Sequence, residues 1–598
     1  MDLATLRAIK PTEFSEAADG YRSTSDMASA AKDRLDNQIA VAMRNSLKGE
    51  AATAAINQLA ELGENFHYIQ VECGLVSTAL EAFSYEVGVA KSKLDVALDG
   101  AESANLTVNA DGSITYPPSG DKGKDGKVPE GGTVGGLTDG TAAAVGRQSA
   151  NFDPNPNHRL AQDYADQIAA ALKEATEADE KWAPKLRALK ADDDLTVSDK
   201  DWADASSDTK GVSEAGKKYL DSLPQPPTNG SPKDNAQWWK ELSAEERAAW
   251  VAMHPDTVGA LDGLPATVRD EANRIVFDEA RGTMQTELNS IPAPPVNEWT
   301  WISTGGYASK VHTGEWMDWY NKYGVRFDHL TGSLKGMESI QTRFDATGNG
   351  GLPEAYLLGF SAEGDGRAIV ANGNPDTADH QAVYVPGTTA ELGNIDGNIN
   401  RMVSVWHAAN DEADGKSVST ITWLGYDAPD DVAKDAPFSH YAYDGAPALN
   451  HFMDGLETSH TGDSEPHRTV IGHSYGSTVV GASAQTGHLN SDDVVFAGSP
   501  GVRVSGADEL DVPKGHVWNE EADGDPVPDL GRWGHGGHGF VIPSDHEFGA
   551  NQMTTDTEGH SGYWDEQSKS LRNQALVVVG KGDSVALKPP PDPWAHVK

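Results

Sequence analysis

The sequence contains one cysteine, Cys73, in 598 residues. A single cysteine excludes any disulfide within the chain, so the fold must depend on its apolar core rather than on covalent cross-links. Cys73 lies in an apolar helical pattern, which favours a buried structural thiol over a nucleophile.

Long apolar runs are also missing from the chain. No segment approaches the roughly 18 consecutive apolar residues of a membrane-spanning helix, and Met1 to Arg7 show no apolar region of a signal peptide. These absences predict a protein without a transmembrane segment. It would be either cytoplasmic or secreted without a cleaved signal peptide, by a type VII-like route.

Basic residues are scarce relative to acidic ones. The chain carries 47 Lys and Arg against 91 Asp and Glu, a net charge of −44, and no basic cluster relieves it. A nucleic-acid backbone would be repelled, so nucleic acid is not expected among the partners.

A chain of this length is expected to hold more than one domain.

One short motif indicates chemistry. An apolar run from Thr469 to Ile471 is followed by Gly472-His-Ser-Tyr-Gly476 and then by a run of small and β-branched residues. Strand, sharp turn and helix in this order are typical of a nucleophile elbow, in which Ser474 is the nucleophile. The glycines on either side allow the strand and the helix to approach closely.

A serine nucleophile needs a base and a group that orients the base, and in this kind of elbow they follow in the order Ser, acid, His. The acidic stretch Glu520 to Val527 directly follows a predicted strand, so its side chains should lie at the carboxyl edge of a sheet. We expect Asp525 to be the acid, with Asp523 as the alternative, and His560, just before the last helix, to be the base.

The oxyanion that forms during acyl transfer needs two N–H donors. The N–H of Tyr475, the residue after the nucleophile, is one candidate. The loop Val385-Pro-Gly-Thr-Thr389 should supply the other from Gly387 or Thr388, since Pro386 has no N–H.

No cofactor and no metal are predicted. His535 and His538 are spaced like a metal-binding pair, yet no helix fixes their spacing and no third ligand is evident.

From about residue 355 onward, short apolar runs alternate with helical patterns. This alternation predicts an α/β fold, a mostly parallel sheet with helices on both faces. Residues 10 to 105, in contrast, show apolar positions at helical spacing, interrupted at Gly49. They predict a hairpin of two long antiparallel helices, so an all-α region precedes the α/β domain.

These patterns divide the chain into five predicted parts. In order they are a helical hairpin (1–105), a small hairpin with a Gly/Pro-rich linker (106–150), a helical connector (151–230), the α/β domain (231–585) and a Pro-rich tail (586–598).

Several blocks of residues 230 to 580 resemble an actinobacterial α/β-hydrolase family long described only as a domain of unknown function. In chain order the blocks are Gly366-Arg-Ala-Ile-Val-Ala371, Gly373-Asn-Pro-Asp-Thr-Ala378, Val385-Pro-Gly387, Trp423-Leu-Gly-Tyr-Asp-Ala-Pro429, Gly472-His-Ser-Tyr-Gly-Ser477 and Gly498-Ser-Pro-Gly501. The resemblance implies an α/β-hydrolase fold and a Ser-Asp-His hydrolase assignment, carried by Ser474, Asp525 and His560. It does not imply a substrate.

The stretch Leu47-Lys-Gly-Glu-Ala-Ala-Thr-Ala-Ala55 resembles the W-x-G turn of the small helical hairpins that type VII (ESX-like) systems secrete. Leu47 stands where that signature has Trp, and Val89 stands where the Tyr-x-x-x-Asp/Glu signal beginning at Tyr85 would need an acid. The resemblance implies a small WXG-type helical partner for residues 1–105.

The expected function is therefore that of a serine esterase or lipase-like enzyme, in which Ser474, His560 and Asp525 transfer an acyl group from a small-molecule ester or lipid-like substrate to water. The alternative is a type VII-secreted effector or partner-binding protein, in which the hydrolase domain is secondary or catalytically silent.

Overall fold

A computed structural model describes residues 1–124, 126–138, 140–189, 196–304 and 307–589. Within the predicted Pro-rich tail, residues 590–598 lie outside the described residues. Across these ranges, none of the helices combines the length and the apolar character that a membrane span requires.

The first half of the chain is mainly helical. Its helices are α1 (Leu3–Ala8), α2 (Pro11–Asp33), α3 (Ala40–Ser46), α4 (Glu50–Ser103), α5 (Gly140–Ala150), α6 (Pro156–Ala188), α7 (Asp199–Leu220), α8 (Pro232–Glu241), α9 (Ala244–Met253), α10 (Pro255–Ala260), α11 (Ala266–Ser290), α12 (Gly314–Trp319) and α13 (Val325–Asp345). Two small antiparallel sheets accompany them, β1 (Thr107–Val108), β2 (Ile114–Tyr116) and β3 (Gly132–Val134), then β4 (Trp299–Thr304) and β5 (Tyr307–His312).

The long helix α4 organises these helices. Gly49 adopts φ +102°, a conformation that glycine reaches without strain, and turns the chain from α3 into α4. Leu75 on α4 is fully buried, and Phe83 packs edge to face with Phe14 of α2 at 4.9 Å between ring centroids. One continuous apolar core runs from Leu6 on α1 to Ile275 on α11. The predicted boundary at residue 230 stays a prediction.

The second half of the chain forms a sheet of eight strands. They are β6 (Ala355–Ser361), β7 (Arg367–Asn372), β8 (His380–Val385), β9 (Val418–Leu424), β10 (His467–His473), β11 (Asp493–Ala497), β12 (Val517–Glu520) and β13 (Asn551–Gln552), in the spatial order β13-β12-β11-β10-β8-β9-β7-β6. The six strands from β13 to β9 are parallel, and β7 and β6 pair antiparallel at the other edge.

Helices cover both faces of this sheet. The later helices are α14 (Asp396–Glu412), α15 (His440–Ser459), α16 (Tyr475–Thr486), α17 (Val527–His535) and α18 (Lys569–Val578). Buried residues of α15 and α16 pack with Val470 of β10 on one face, and those of α14 and α18 pack with Ile471 on the other. Strands covered on both faces read as continuous apolar runs, which is why the sequence indicated them. The predicted fold class, an α/β fold with a mostly parallel sheet and helices on both faces, preceded by an all-α region, is confirmed.

Candidate active site

Ser474 occupies the sharp turn between β10 and α16. Its backbone has φ +55° and ψ −130°, a conformation that costs a non-glycine residue energy and that surrounding packing must maintain. A Cβ on Gly472 would lie 2.6 Å from Cα of Ser477, and one on Gly476 would lie 2.1 Å from the carbonyl oxygen of Val385. Both glycines are therefore required for the strand and the helix to meet at this angle.

His560 and Asp525 form a hydrogen-bonded pair. Nδ1 of His560 lies 2.9 Å from Oδ2 and 3.0 Å from Oδ1 of Asp525. The same carboxylate accepts a hydrogen bond from the Tyr563 hydroxyl at 2.5 Å and one from the N–H of Val527 at 2.9 Å. The Asp525 side chain is fully buried, whereas that of His560 keeps 28% of its surface exposed. The ring of His560 is thus anchored at Nδ1 and accessible elsewhere.

The charge of Asp525 is set by two opposing effects. Burial alone would raise the pKa of this carboxyl group. The hydrogen bonds from His560, Tyr563 and the N–H of Val527 outweigh burial and hold the pKa below its usual range. Asp525 is therefore ionised at neutral pH and fixes the proton of His560 on Nδ1.

Asp523, the alternative acid, is placed differently. It is exposed, and it is engaged through its backbone, with its N–H bonded to the carbonyl of Thr557 and its carbonyl to the N–H of Gly559. The structure brings Asp525, and not Asp523, to the ring of His560.

Gly498, which follows β11, makes room for the pair. Its φ is +57°, and a Cβ there would lie 2.6 Å from Oδ2 of Asp525 and 3.0 Å from Nδ1 of His560. This close approach explains the glycine in the sequence block that begins at residue 498.

Ser474 and His560 line the same cavity, which has a volume of about 930 Å³. Within the described residues, no hydrogen bond joins the hydroxyl of Ser474 to the ring of His560. Such bonds are often long or misaligned before substrate binds, and they shorten in the reacting complex.

The residues predicted to supply the oxyanion donors line the cavity together with Ser474. A Cβ on Gly387 would lie 3.1 Å from Oγ of Ser474, so this loop passes directly over the nucleophile. Gly387 and Thr388 both line the cavity. Tyr475 is the first residue of α16, where backbone N–H groups have no partner inside the helix.

A second histidine, His473, contacts the backbone of His560. The sequence analysis did not identify it as a site residue. Its Nε2 donates to the carbonyl oxygen of His560 at 2.9 Å, and its Nδ1 lies 3.3 Å from the Tyr384 hydroxyl. Burial lowers the pKa of His473 well below its ordinary value, and the nearby Arg401 and His560 add to the shift. A neutral His473 thus ties the backbone of His560 to the end of β10. Its position inside the G-x-S-x-G motif, directly before Ser474, is the sequence feature that could have identified it.

His535 also lines the cavity, and its Nε2 lies 2.6 Å from the carbonyl oxygen of Ala436. Over the described ranges, no group of three His, Cys, Asp or Glu side chains is arranged to hold a metal ion. His535 therefore contributes to the wall of the cavity.

Comparison with known proteins gives one family match. A sequence model of the family described as "Alpha/beta hydrolase" matches residues 362–534, which include the elbow and Asp525. No solved structure matches the chain.

Relatives occur in mycobacteria. The uncharacterized protein Rv2079 of Mycobacterium tuberculosis is 29% identical over 399 residues, which cover 60% of this chain and 57% of that protein. The uncharacterized proteins Rv0963c of M. tuberculosis and Mb0988c of Mycobacterium bovis are each 33% identical over 197 residues, 30% of this chain and 73% of theirs. The chain thus spans little more than half the length of the first of these relatives.

Proposed function

The chain belongs to the alpha/beta hydrolase family, and from this premise we propose that it is a serine hydrolase that cleaves a carboxylic ester. One observation carries the proposal. Ser474 stands at a strained strand-to-helix turn and opens into the same cavity as a histidine whose far side is held by a buried carboxylate. Nucleophile, base and orienting acid in this arrangement suit acyl transfer.

In the proposed mechanism, Oγ of Ser474 attacks the carbonyl carbon of the ester while Nε2 of His560 takes the hydroxyl proton. Asp525 holds the ring and stabilises the imidazolium that forms. The N–H groups of Tyr475 and of Gly387 or Thr388 bind the oxyanion, an interaction whose loss typically costs about 10²–10³ in rate. The imidazolium then returns its proton to the leaving alkoxide, which departs as an alcohol.

Water completes the cycle. His560 takes a proton from the water molecule, the resulting hydroxide attacks the acyl-enzyme, and Ser474 leaves with the proton that His560 returns. The carboxylic acid product is released. A cavity of about 930 Å³ lies within the range of small-molecule sites, which is consistent with a small ester or a lipid-like substrate.

The proposal is tested with Ser474→Ala. This variant should fold normally, lose turnover of 4-nitrophenyl butyrate and lose labelling by a fluorophosphonate probe. The matched control is Ser561→Ala, because Ser561 is the other serine that lines the cavity. Labelling that persists in Ser474→Ala and disappears in Ser561→Ala would refute the assignment. A wild-type protein that neither turns over esters nor takes the label would instead favour a catalytically silent module.

A second candidate function, a type VII-like export substrate that binds a WXG-type helical partner, draws on the helix–turn–helix around Gly49. Most of the apolar stripe of α4 already packs inside this chain, with Leu75 fully buried. The large apolar side chains left exposed near the turn include Ile39, Leu47 and Leu62, at 38%, 49% and 41%. A partner would dock on these side chains, of which Leu47 and Leu62 are the most exposed.

Co-purification with a small helical protein from the native host tests this candidate. Leu47→Asp and Leu62→Asp should abolish the association without changing the fold, because both side chains are exposed. Val96→Asp, on a distant exposed part of α4, is the control. If the double variant Leu47→Asp/Leu62→Asp still associated with the partner as wild type does, this candidate function would be contradicted.

A further inference from the structure

The cavity at Ser474 has two different walls. One wall is apolar and includes Val432, Leu530 and Trp533, of which the last two belong to α17. Another wall is the beginning of α14, which contributes Asn398 and Arg401 to the lining. No aspartate or glutamate is among the described residues that line the cavity, although the chain has 91 acidic residues.

Arg401 is the single arginine or lysine in the described lining, and it has no acidic partner there. The salt bridges of the described residues include none to Arg401. Its Nη1 donates to the Tyr384 hydroxyl at 2.8 Å and to Oδ1 of Asn398 at 2.9 Å, and its guanidinium lies 4.8 Å from the centroid of the Trp564 ring. The side chain is thus held in place by neutral groups only.

Two nitrogens of this guanidinium remain available. Nε and Nη2 of Arg401 have no hydrogen-bond partner among the described residues, and neither is among the buried atoms that lack one, so both are accessible. The residue itself lines the cavity. Arginine presents its N–H groups as a planar fork that matches the oxygens of a carboxylate or a phosphate. A fixed fork with free donors is suited to such an anion.

Arg401 is connected to the reacting groups through a short chain of contacts. The Tyr384 hydroxyl, which accepts its hydrogen bond, lies 3.3 Å from Nδ1 of His473, and the ring of His473 lies 4.7 Å from that of His560. Arg401 lines the same cavity as Ser474 and His560. A substrate anion bound by Arg401 would therefore occupy the cavity in which the ester reacts.

Resting on the proposed esterase function, we propose that Arg401 is a specificity-determining residue that binds an anionic carboxylate or phosphate group of the substrate, while the apolar part of the substrate lies along α17. The substrate class is then an amphiphilic anionic ester. Neutral esters would be turned over, but with a lower kcat/KM.

Paired esters test this specificity. 4-Nitrophenyl hydrogen adipate places the carboxylate on the acyl side, and 4-carboxyphenyl butyrate places it on the leaving group. The methyl ester of each is its neutral match. For one of the two pairs, the wild-type protein should prefer the acid over its methyl ester in kcat/KM, and the pair that shows this preference identifies the side of the scissile bond that Arg401 faces.

The variant Arg401→Gln should lower that preference by about 10- to 100-fold, the effect of losing charge-assisted hydrogen bonds. Arg401→Lys, which keeps the charge but loses the fork, should retain part of the preference. Arg572→Gln, on the outer surface, should leave it unchanged. A purely structural arginine would slow both members of each pair equally, and an unchanged preference in Arg401→Gln would overturn the proposal.

Direct binding separates this proposal from the esterase proposal. Calorimetry with the Ser474→Ala protein compares octanoate, octyl phosphate and octanol, which share one chain and differ in the head group. Octanoate or octyl phosphate should bind and octanol should not, and Arg401→Gln in the same background should abolish the difference. The tighter of the two anions identifies the head group. Equal binding of all three ligands would overturn the anion site, whether or not the protein hydrolyses esters.

Discussion

At the scale of single residues, the account depends on the charge of Asp525. Its side chain is fully buried, yet three donors hold its pKa below the ordinary value. An ionised carboxylate at this place keeps the His560 proton on Nδ1, so that Nε2 is free to act as the base. The neutral amide of asparagine would fit the space but could present its N–H₂ group to the ring.

Asp525→Asn should therefore lower kcat for 4-nitrophenyl butyrate by about 10³- to 10⁴-fold, because the wrong tautomer of His560 is favoured. The rate of 4-nitrophenol release, followed by absorbance, measures the effect. Asp523→Asn, two residues away and exposed, is the matched control and should stay close to the wild-type rate. If Asp523→Asn were the slower enzyme, the assignment of the acid would be wrong.

Glu72 on α4 gives a prediction about pH. It is 5% exposed, and its Oε2 has no hydrogen-bond partner in the described part of the chain. Burial, followed by the charges of Asp208, Asp204 and Glu279, raises its pKa to about 8. In the unfolded chain a glutamate has a pKa of about 4.3. Between these two values the folded protein holds a proton that the unfolded chain releases, so this residue makes the protein less stable as pH rises from about 4.3 to about 8.

Glu72→Gln removes that dependence. The Tm of the variant minus that of wild type should be small at pH 5 and clearly larger and positive at pH 9, and thermal unfolding followed by circular dichroism measures this difference. Glu61→Gln, on the exposed face of the same helix, is the control. The same Tm difference at both pH values would contradict the account.

At the scale of elements, the elbow depends on close contact between β10, α16 and the neighbouring β8. Gly476→Ala would place a methyl group 2.1 Å from the carbonyl oxygen of Val385, so α16 must move away from β8 and take Ser474 with it. We expect a loss of esterase activity together with a lower Tm. Gly332→Ala, in the middle of α13 with nothing within 4 Å, should keep activity and should stabilise the helix by about 1 kcal/mol.

Activity and Tm measured on the same preparations test this prediction. A Gly476→Ala protein with wild-type activity would show that the elbow tolerates a side chain and that the close contact does not position the nucleophile.

The same elements show how far the sequence alone could lead. Strands such as β8 and β9 were predictable, because strands buried on both faces are rich in apolar and β-branched residues, and glycine or proline follows where each of these two ends. The elbow was predictable because only a few residue types allow such a turn. The strand β13 has two residues and gives no pattern, and the cavity wall formed by α17 depends on where that helix packs.

Arg401 illustrates the remaining difficulty. In the sequence it is one of 47 basic residues, in a helix that also carries acids. That it has no acidic partner among the described residues, and that it lines the cavity, results from packing between α14 and the short segment that ends with Trp564. No local pattern records such an arrangement.

At the scale of the whole molecule, α11 connects the helical region to the sheet. The N–H of Ala266, its first residue, donates to Asp376 at 2.7 Å, and Asn273 donates to the carbonyl of Leu357 in β6. Farther along, Asp278 lies 2.9 Å from Nδ1 of His67 on α4. The two halves of the molecule therefore share a buried helix.

A destabilising substitution in the helical core should therefore lower the stability of the hydrolase half as well. Leu75→Ala creates a cavity in α4 that should cost about 2–5 kcal/mol. The temperature at which esterase activity is lost should fall together with the temperature at which the helices melt. Val96→Ala, at a position 67% exposed, should change neither. If Leu75→Ala lowered the melting temperature of the helices but left the temperature of activity loss unchanged, the two halves would unfold independently.

The most direct test of the central claim is to trap the acyl-enzyme. Rapid mixing with 4-nitrophenyl butyrate, acid quench and peptide mass spectrometry should find a butyryl group on the hydroxyl of Ser474, and none in the Ser474→Ala protein. A butyryl group on another residue, or turnover without any covalent intermediate, would contradict the account.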